Sequence, residues 1–177
     1  MSALVMPKEL TTARLRLTAW RVDHFEPLVV HNADPDSTRY TGGVMTRDEC
    51  WKALAMLIGH WTLRGYGMYA VEDTTGALVG GIGLYRPEGW PELEVGYDLV
   101  TAARGKGFAT EAAAAVRDEA AARGVTRLAS FIHVDNAPSI RVAERLGATR
   151  DELITLNDAP CWRYLHAMDT PTHHPIN

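Results

Sequence analysis

The segment Leu93-Glu94-Val95-Gly96-Tyr97-Asp98-Leu99 is followed closely by Arg104-Gly105-Lys106-Gly107-Phe108-Ala109-Thr110-Glu111. A carboxylate-bearing strand pattern thus runs into a glycine-rich basic loop and the start of a helix. The first turn of a helix leaves backbone N–H groups without intrahelical acceptors, and the helix dipole adds partial positive charge there. Gly105 and Gly107 let an anion approach that backbone with no side chain in the way, and Ala109 keeps the rim small. Arg104 and Lys106 add formal positive charge at the same place. A pyrophosphate suits such a site; the plainer alternative is a turn followed by an exposed basic loop. Two nucleotide motifs fail on spacing: there is no GxxxxGK[ST], and Gly105-Lys106-Gly107 lacks the third glycine of GxGxxG.

These residues need elements to position them, and the pattern along the chain supplies candidates. Alternation predicts strands at Leu15–Trp20, Met68–Val71, Ala77–Tyr85, Glu92–Val100, Arg127–Val134, Thr149–Leu156 and Cys161–Met168. Capping boxes at Asp23–Glu26 and Thr46–Glu49 start a short helix to about Asn32, stopped by Asp34-Pro35-Asp36, and a longer one ending at Gly65. The longer helix carries the stripe Trp51, Leu54, Ala55, Ile58 and Trp61, read as core. An alanine-rich helix spans Phe108–Ala122, and another spans Ser139–Leu146 with Gly147 as its C′ residue. Gly80, Gly81 and Gly83 inside a strand mark a bulge or a close approach, making room for a substrate or for a neighbouring helix. The expected fold is α/β (α+β), a mixed, mostly antiparallel central sheet flanked by helices, with residues 1–170 as one domain and 171–177 as a flexible tail.

Composition narrows the function. The chain has 177 residues, 46% hydrophobic and 23% charged, enough for one well-packed core. Eighteen Lys and Arg against 22 Asp and Glu give a net charge of −4, which argues against nucleic acid as a partner. Cys50 and Cys161 stand alone, which excludes CxxC redox chemistry and favours a reducing compartment, here the cytoplasm. No metal site is expected, since the histidines show no HxxxH or H-x-H spacing. No membrane span or signal segment is expected either, and the protein should act as a monomer or homodimer.

The spacing Arg104-x-x-Gly107-x-Ala109 resembles the acyl-CoA-binding motif (Q/R-x-x-G-x-G/A) of the GNAT acetyltransferase superfamily. The strand Glu94-Val95-Gly96-Tyr97 before it, and Asn136-Ala137-Pro138-Ser139 with Leu146-Gly147-Ala148 after it, resemble the same family. The opening segment Thr12-Ala13-Arg14-Leu15-Arg16-Leu17 is similar to the start of the RimJ/RimL-like, ribosomal-protein N-terminal acetyltransferase-like branch. The resemblance runs in order over roughly residues 10 to 169.

The resemblance implies acetyl-CoA as co-substrate and a V-shaped opening between the strands Glu92–Val100 and Arg127–Val134. It places the pyrophosphate on the backbone of Arg104, Gly105, Lys106, Gly107, Phe108, Ala109 and Thr110. The pantetheine runs beside Leu99 and Val100 like an added strand, with the oxyanion donor a backbone N–H around Leu99. Asn136 and Ser139 match positions that face the pantetheine arm and thiol. Glu94 matches the base-bearing strand; the alternative is a solvated strand carboxylate, with Glu92 in reserve. The tyrosine that many relatives use to protonate the thiolate falls on Ala143, so it is missing. Ser139, in N-x-x-S form, is the substitute acid, or else simply a helix N-cap. Tyr97 lies on the opposite face from Glu94 and is the weaker candidate.

The remaining residues leave alternatives open. Trp90 either walls an acceptor site or plugs the sheet edge, and His133 reads as a hydrogen-bonded strand histidine rather than a catalytic one. Neither cysteine falls in the motif region, so direct transfer to an amine is expected, to a protein N-terminus or a small molecule. An acyl-CoA sensor that does not turn over and a nucleotide-binding domain are the rival functions.

Overall fold

The computed structural model describes residues 4–168; the tail expected at 171–177 lies outside them. Its strands are β1 (Glu9–Thr11), β2 (Leu15–Ala19), β3 (Met68–Asp73), β4 (Leu78–Tyr85), β5 (Glu94–Leu99), β6 (Ala129–His133), β7 (Thr149–Leu156) and β8 (Ala159–Leu165). They form one eight-stranded sheet in the order β1-β2-β3-β4-β5-β6-β8-β7. The β5–β6 pair is parallel and the other neighbours antiparallel. The helices are α1 (Phe25–Asn32), α2 (Pro35–Thr38), α3 (Arg47–Arg64), α4 (Phe108–Ala122) and α5 (Ala137–Arg145). This is the expected mixed, mostly antiparallel sheet flanked by helices.

Alternation along the strands divides the core between the two faces. Tyr69, Val71, Ile82 and Val95 pack with Ala112, Ala113, Val116 and Ala120 of α4, whose small side chains let the helix lie close. Ala70 turns the other way, into a cluster with Trp20, Leu28 of α1 and Leu54 of α3. The capping box at Thr46 forms, with Glu49 Oε2 accepting from Thr46 N–H at 2.7 Å. Gly65 closes α3 at φ +77, the left-handed geometry that glycine adopts without Cβ strain.

Four expectations are corrected. Asp23 caps nothing: Val22–His24 form a 3-10 turn in which His24 Nδ1 accepts the Arg21 N–H, so an imidazole does the work expected of a carboxylate. Asp34-Pro35-Asp36 starts α2 as well as ending α1, because Asp34 Oδ1 accepts from Asp36 N–H and proline suits a first helical turn. Trp51 is half exposed while Cys50, Leu54 and Trp61 are buried, so the buried stripe of α3 is rotated by one position. The Asn157–Asp158 turn, with both φ positive at 49° and 60°, is shorter than the expected loop and leaves Ala159 and Pro160 in β8. Strand β1 carried too short a pattern to be expected.

The β4 glycines serve sheet packing. A Cβ on Gly80 would stand 2.1 Å from Asp98 O, and one on Gly83 would stand 2.4 Å from Gly67 O. Gly80 also lies at φ +152 beside a register shift in the β3–β4 pair.

Candidate active site

Strands β5 and β6 share one register pair, Glu94 with Ala129, and then diverge. Val100 N–H donates to Val79 O of β4 at 3.0 Å. By antiparallel alternation the N–H and C=O groups of Val95, Tyr97 and Leu99 therefore face the β6 side, where the ladder ends at the Glu94–Ala129 pair and leaves those of Tyr97 and Leu99 without strand partners. Unpaired backbone inside a fold is costly, and side chains occupy the lower part of the wedge. Ser130 Oγ donates to Val95 O at 2.7 Å, and Phe131 N–H donates to Glu94 Oε1 at 3.2 Å. Higher up, Tyr97 Oη–H bridges to Ser139 O at 2.9 Å. Burial pushes the Tyr97 phenol well above its ordinary range.

Two cavities open from this split. The first, of about 630 Å³, holds Glu94, Gly96 and Asp98 of β5 together with Tyr85, Trp90, Phe131, His133 and Cys161. The second, of about 680 Å³, is lined by Leu99, Arg104, Gly105, Gly107, Phe108, Ala109 and Thr110, with Asn136 and Ser139 at the start of α5. They share Arg39, Tyr40, Thr41, Tyr97, Asp98, Asn136 and Ser139, so the split joins them.

The second cavity ends on the N-terminus of α4. The first bond of that helix runs from Glu111 N–H to Gly107 O, so the N–H groups of Phe108, Ala109 and Thr110 have no intrahelical acceptor. Gly105 and Gly107 both take positive φ, 76° and 80°. The turn is braced from outside: Glu111 accepts from Thr12 Oγ1, Arg14 N and Arg14 Nε at 2.7, 3.0 and 2.7 Å. Arg14 also donates to Lys106 O and lies over the Phe108 ring. An open helix start at the end of a cavity this size fits the phosphates and pantetheine arm of a coenzyme A.

The formal charges expected at the loop are placed less directly. Arg104 lines the cavity, but its guanidinium donates to Leu99 O and Asp36 O and so ties the loop to α2. The same seam is closed by Asp34, which accepts from Thr101 Oγ1 and Ser37 Oγ; those bonds hold its carboxyl at about 2. Lys106 and Val100 do not line the cavity.

At the base of the first cavity Glu94 is only 8% exposed. Trp90 Nε1–H donates to its Oε2 at 2.8 Å, and Phe131 N–H holds Oε1. Burial raises its carboxyl to about 7, with the two donors pulling the other way. Trp90 is thus a wall of the cavity in contact with Glu94. Glu92 is placed elsewhere, in ion pairs with Arg127 and Arg163.

Asn136 is the cap of α5: its Oδ1 accepts from Ser139 N–H at 3.3 Å. Ser139 therefore sits inside the first turn, and its hydroxyl has no hydrogen-bond partner among the described residues. The capping alternative for Ser139 falls away. Gly147 and Ala148 N–H close the helix on Glu144 O and Ala143 O, as a C′ glycine should. His133 Nδ1 accepts from Asp135 N–H, a structural bond, although its ring still borders the first cavity.

Three features escaped the sequence. Asp98 is met by His31 of α1, 67 positions earlier, with Nε2 at 2.6 Å from Oδ2. Tyr97 bridges the split. Cys161 enters the first cavity from β8, outside any motif, with burial pushing its thiol up and away from a thiolate.

A family model for the acetyltransferase (GNAT) domain matches residues 14–149. The chain belongs to the GNAT acetyltransferase family. Among solved structures, an acetyltransferase from Agrobacterium tumefaciens str. C58 is similar at 28% identity and a TM-score of 0.82, over 94% of this chain and 98% of that one. A Vibrio cholerae protein assigned as a ribosomal-protein-serine acetyltransferase shares the fold at 20% identity and 0.74, over 92% and 98%. So does the spermidine N-acetyltransferase from Vibrio cholerae, solved with CoA and spermine, at 16% and 0.73, over 90% and 98%. Among the described residues no helix is long and apolar enough to cross a membrane.

Proposed function

We propose that this GNAT protein is an acetyl-CoA-dependent N-acetyltransferase that passes the acetyl group directly to a primary amine in a ternary complex. The observation that carries the reading is the junction of two cavities through the β5–β6 split. One cavity ends on an open helix N-terminus, and the other on a buried carboxyl raised to about 7.

Bound acetyl-CoA supplies an activated thioester carbonyl. The N–H groups of Phe108, Ala109 and Thr110 hold its phosphates, and the backbone of Leu99, with Asn136, borders the pantetheine arm. The N–H groups of Tyr97 and Leu99, turned into the split, are the donors for negative charge developing on the carbonyl oxygen. Glu94 receives the amine's proton, through water where the amine sits near the junction. A carboxyl near 7 is a better match to that task than one at its ordinary value. Ser139 lines both cavities, and its hydroxyl relays to the departing sulfur the second proton that the attacking nitrogen gives up, so that the serine is left unchanged. The metal-free chemistry expected from the sequence needs no further group.

We read residues 1–170 as one domain acting in the cytoplasm. The Thr12–Leu17 segment and the Asn136-x-x-Ser139 pattern favour the RimJ/RimL-like branch, and hence a protein N-terminal α-amine, over a small amine. Thiol release from acetyl-CoA is the test, run against ribosomal N-terminal peptides, aminoglycosides, polyamines and amino acids. Release with one class supports transfer and names the acceptor. Tight CoA binding with no release across the panel would instead make the protein an acyl-CoA sensor. Stabilisation by ATP or NAD but not CoA would overturn both.

A further inference from the structure

Building on the acetyltransferase reading, we propose that Asp98 is the carboxylate that binds the acceptor's ammonium where the two cavities meet, and that His31 is the positioning residue that holds it there. Asp98 lines both cavities, whereas Glu94 lines only the first. The two share a face of β5 but stand four residues apart, about 13 Å at the rise of an extended strand. An amine at the junction is therefore beyond direct contact with Glu94 and within reach of Asp98.

The pair is graded from anchor to working end. His31 has a side chain 5% exposed, and Asp98 one 27% exposed. An ionised carboxylate only accepts, so the imidazole Nε2–H donates to Oδ2 across 2.6 Å. Oδ1 has no partner among the described residues. His31 Nδ1 is buried with no hydrogen-bond partner among the described residues, so the ring's one polar contact there is the bond to Asp98.

The bond is not needed to seat α1, which is packed by Leu28 against Trp20, Leu54 and Ala70. Arg39 is the arginine that lines both cavities, and Arg141 and Arg145 line the second alone. Arg39 pairs with Asp36 at 2.7 Å, and the donors of Arg104 go to Leu99 O and Asp36 O. The free oxygen of Asp98 is thus left for a cation from outside, and an amine acceptor brings one. Asp98 seats the charged amine, and Glu94 takes its proton later.

The test compares Asp98→Asn, His31→Ala and His31→Gln with the unaltered protein. CoA affinity is read by calorimetry. Amine affinity is read by tryptophan fluorescence with spermidine, tobramycin and an N-terminal peptide, and KM and kcat by thiol release for whichever is acetylated. Asp98→Asn should weaken the preferred amine at least about tenfold, chiefly in KM, with CoA affinity within about twofold. His31→Ala should follow it, and His31→Gln should restore most of the loss, because the Gln amide nitrogen reaches as far as Nε2. Amine binding that Asp98→Asn leaves within twofold overturns the proposal. A melting-temperature loss in His31→Ala that His31→Gln corrects, with amine KM unmoved in both, would make His31 merely structural. Failure of the unaltered protein to bind CoA sinks the acetyltransferase reading, while the amine titration still reports on Asp98.

Discussion

In the cavity that ends on α4, polar side chains such as Asn136 and Ser139 line the wall, but the donors at the helix start and in the split are main chain: the N–H groups of Phe108, Ala109 and Thr110, and those of Tyr97 and Leu99. Across the sheet the groups are side chains: Glu94 under Trp90, Asp98 on His31, and the rings of Tyr85 and Phe131. A main-chain site needs only a backbone path and leaves side chains free to vary. A side-chain site draws each member from a different element and is rebuilt whenever one changes. The first half thus suits a co-substrate common to a whole family, and the second suits an acceptor particular to this protein.

The largest effect expected is from making the main-chain half electrostatically hostile. Gly105 has φ +76 and nothing within 4 Å of where a Cβ would stand, so aspartate, which tolerates that conformation, fits there. Its negative charge would face the helix start, and Gly105→Asp should weaken acetyl-CoA about 100-fold by calorimetry with little change in melting temperature. Retained affinity would break the description of this half as a backbone anion site.

The matching change across the sheet is Glu94→Gln. Turnover should fall about 100-fold while CoA affinity holds. The base must be ionised, so the unaltered rate should rise with pH through about 7, and the variant should lose that inflection. The same group affects stability. Its folded pKa lies above its unfolded value of 4.5, so the folded state keeps a proton that the unfolded chain gives up. The stabilisation is complete below about 4.5 and is lost as pH rises through 7, up to about 3 kcal/mol. The melting temperature of Glu94→Gln relative to the unaltered protein should therefore climb by several degrees between pH 4.5 and 8. A flat difference would mean the carboxyl is not buried against its charge.

The same contrast decides what could be read from the sequence. The backbone half left a trace, because Arg104-x-x-Gly107-x-Ala109 is a local spacing that one stretch of chain must satisfy. Glu94 was legible for a related reason, lying on the strand that leads into that stretch. The Asp98–His31 pair was not, since nothing local links residues 67 positions apart. Cys161 escaped in the same way, brought in by β8. Trp51 misled because its spacing to Leu54 and Trp61 fits a stripe as well as Cys50 does, and only the packing of α3 chooses between them. The capping of α5 was readable in principle. Proline favours the first helical turn, so Pro138 argues for a start before Ser139 and for Asn136 as the cap.

That last point gives a pair of opposed outcomes. Ser139→Ala should slow turnover about tenfold without loss of stability, because its hydroxyl supports no helix end. Asn136→Ala should cost about 1 kcal/mol, seen as a lower melting temperature, because it removes the cap. If the two effects were exchanged, Ser139 would return to a capping role and the acid would have to be sought elsewhere, first at Tyr97, whose hydroxyl meets Ser139 O.

The smallest effect expected concerns formal charge. Lys106 stands in the loop but does not line the cavity, and its ammonium lies 6.0 Å from the centre of the Phe108 ring. Its influence on a bound phosphate is then long-range and screened by salt. Lys106→Ala should weaken acetyl-CoA only about twofold to threefold at low ionic strength, and less at 0.5 M salt. Calorimetry at the two salt concentrations separates the cases. A loss above tenfold that persists in high salt would mean direct contact, and the cofactor half would then depend on side chains as the acceptor half does.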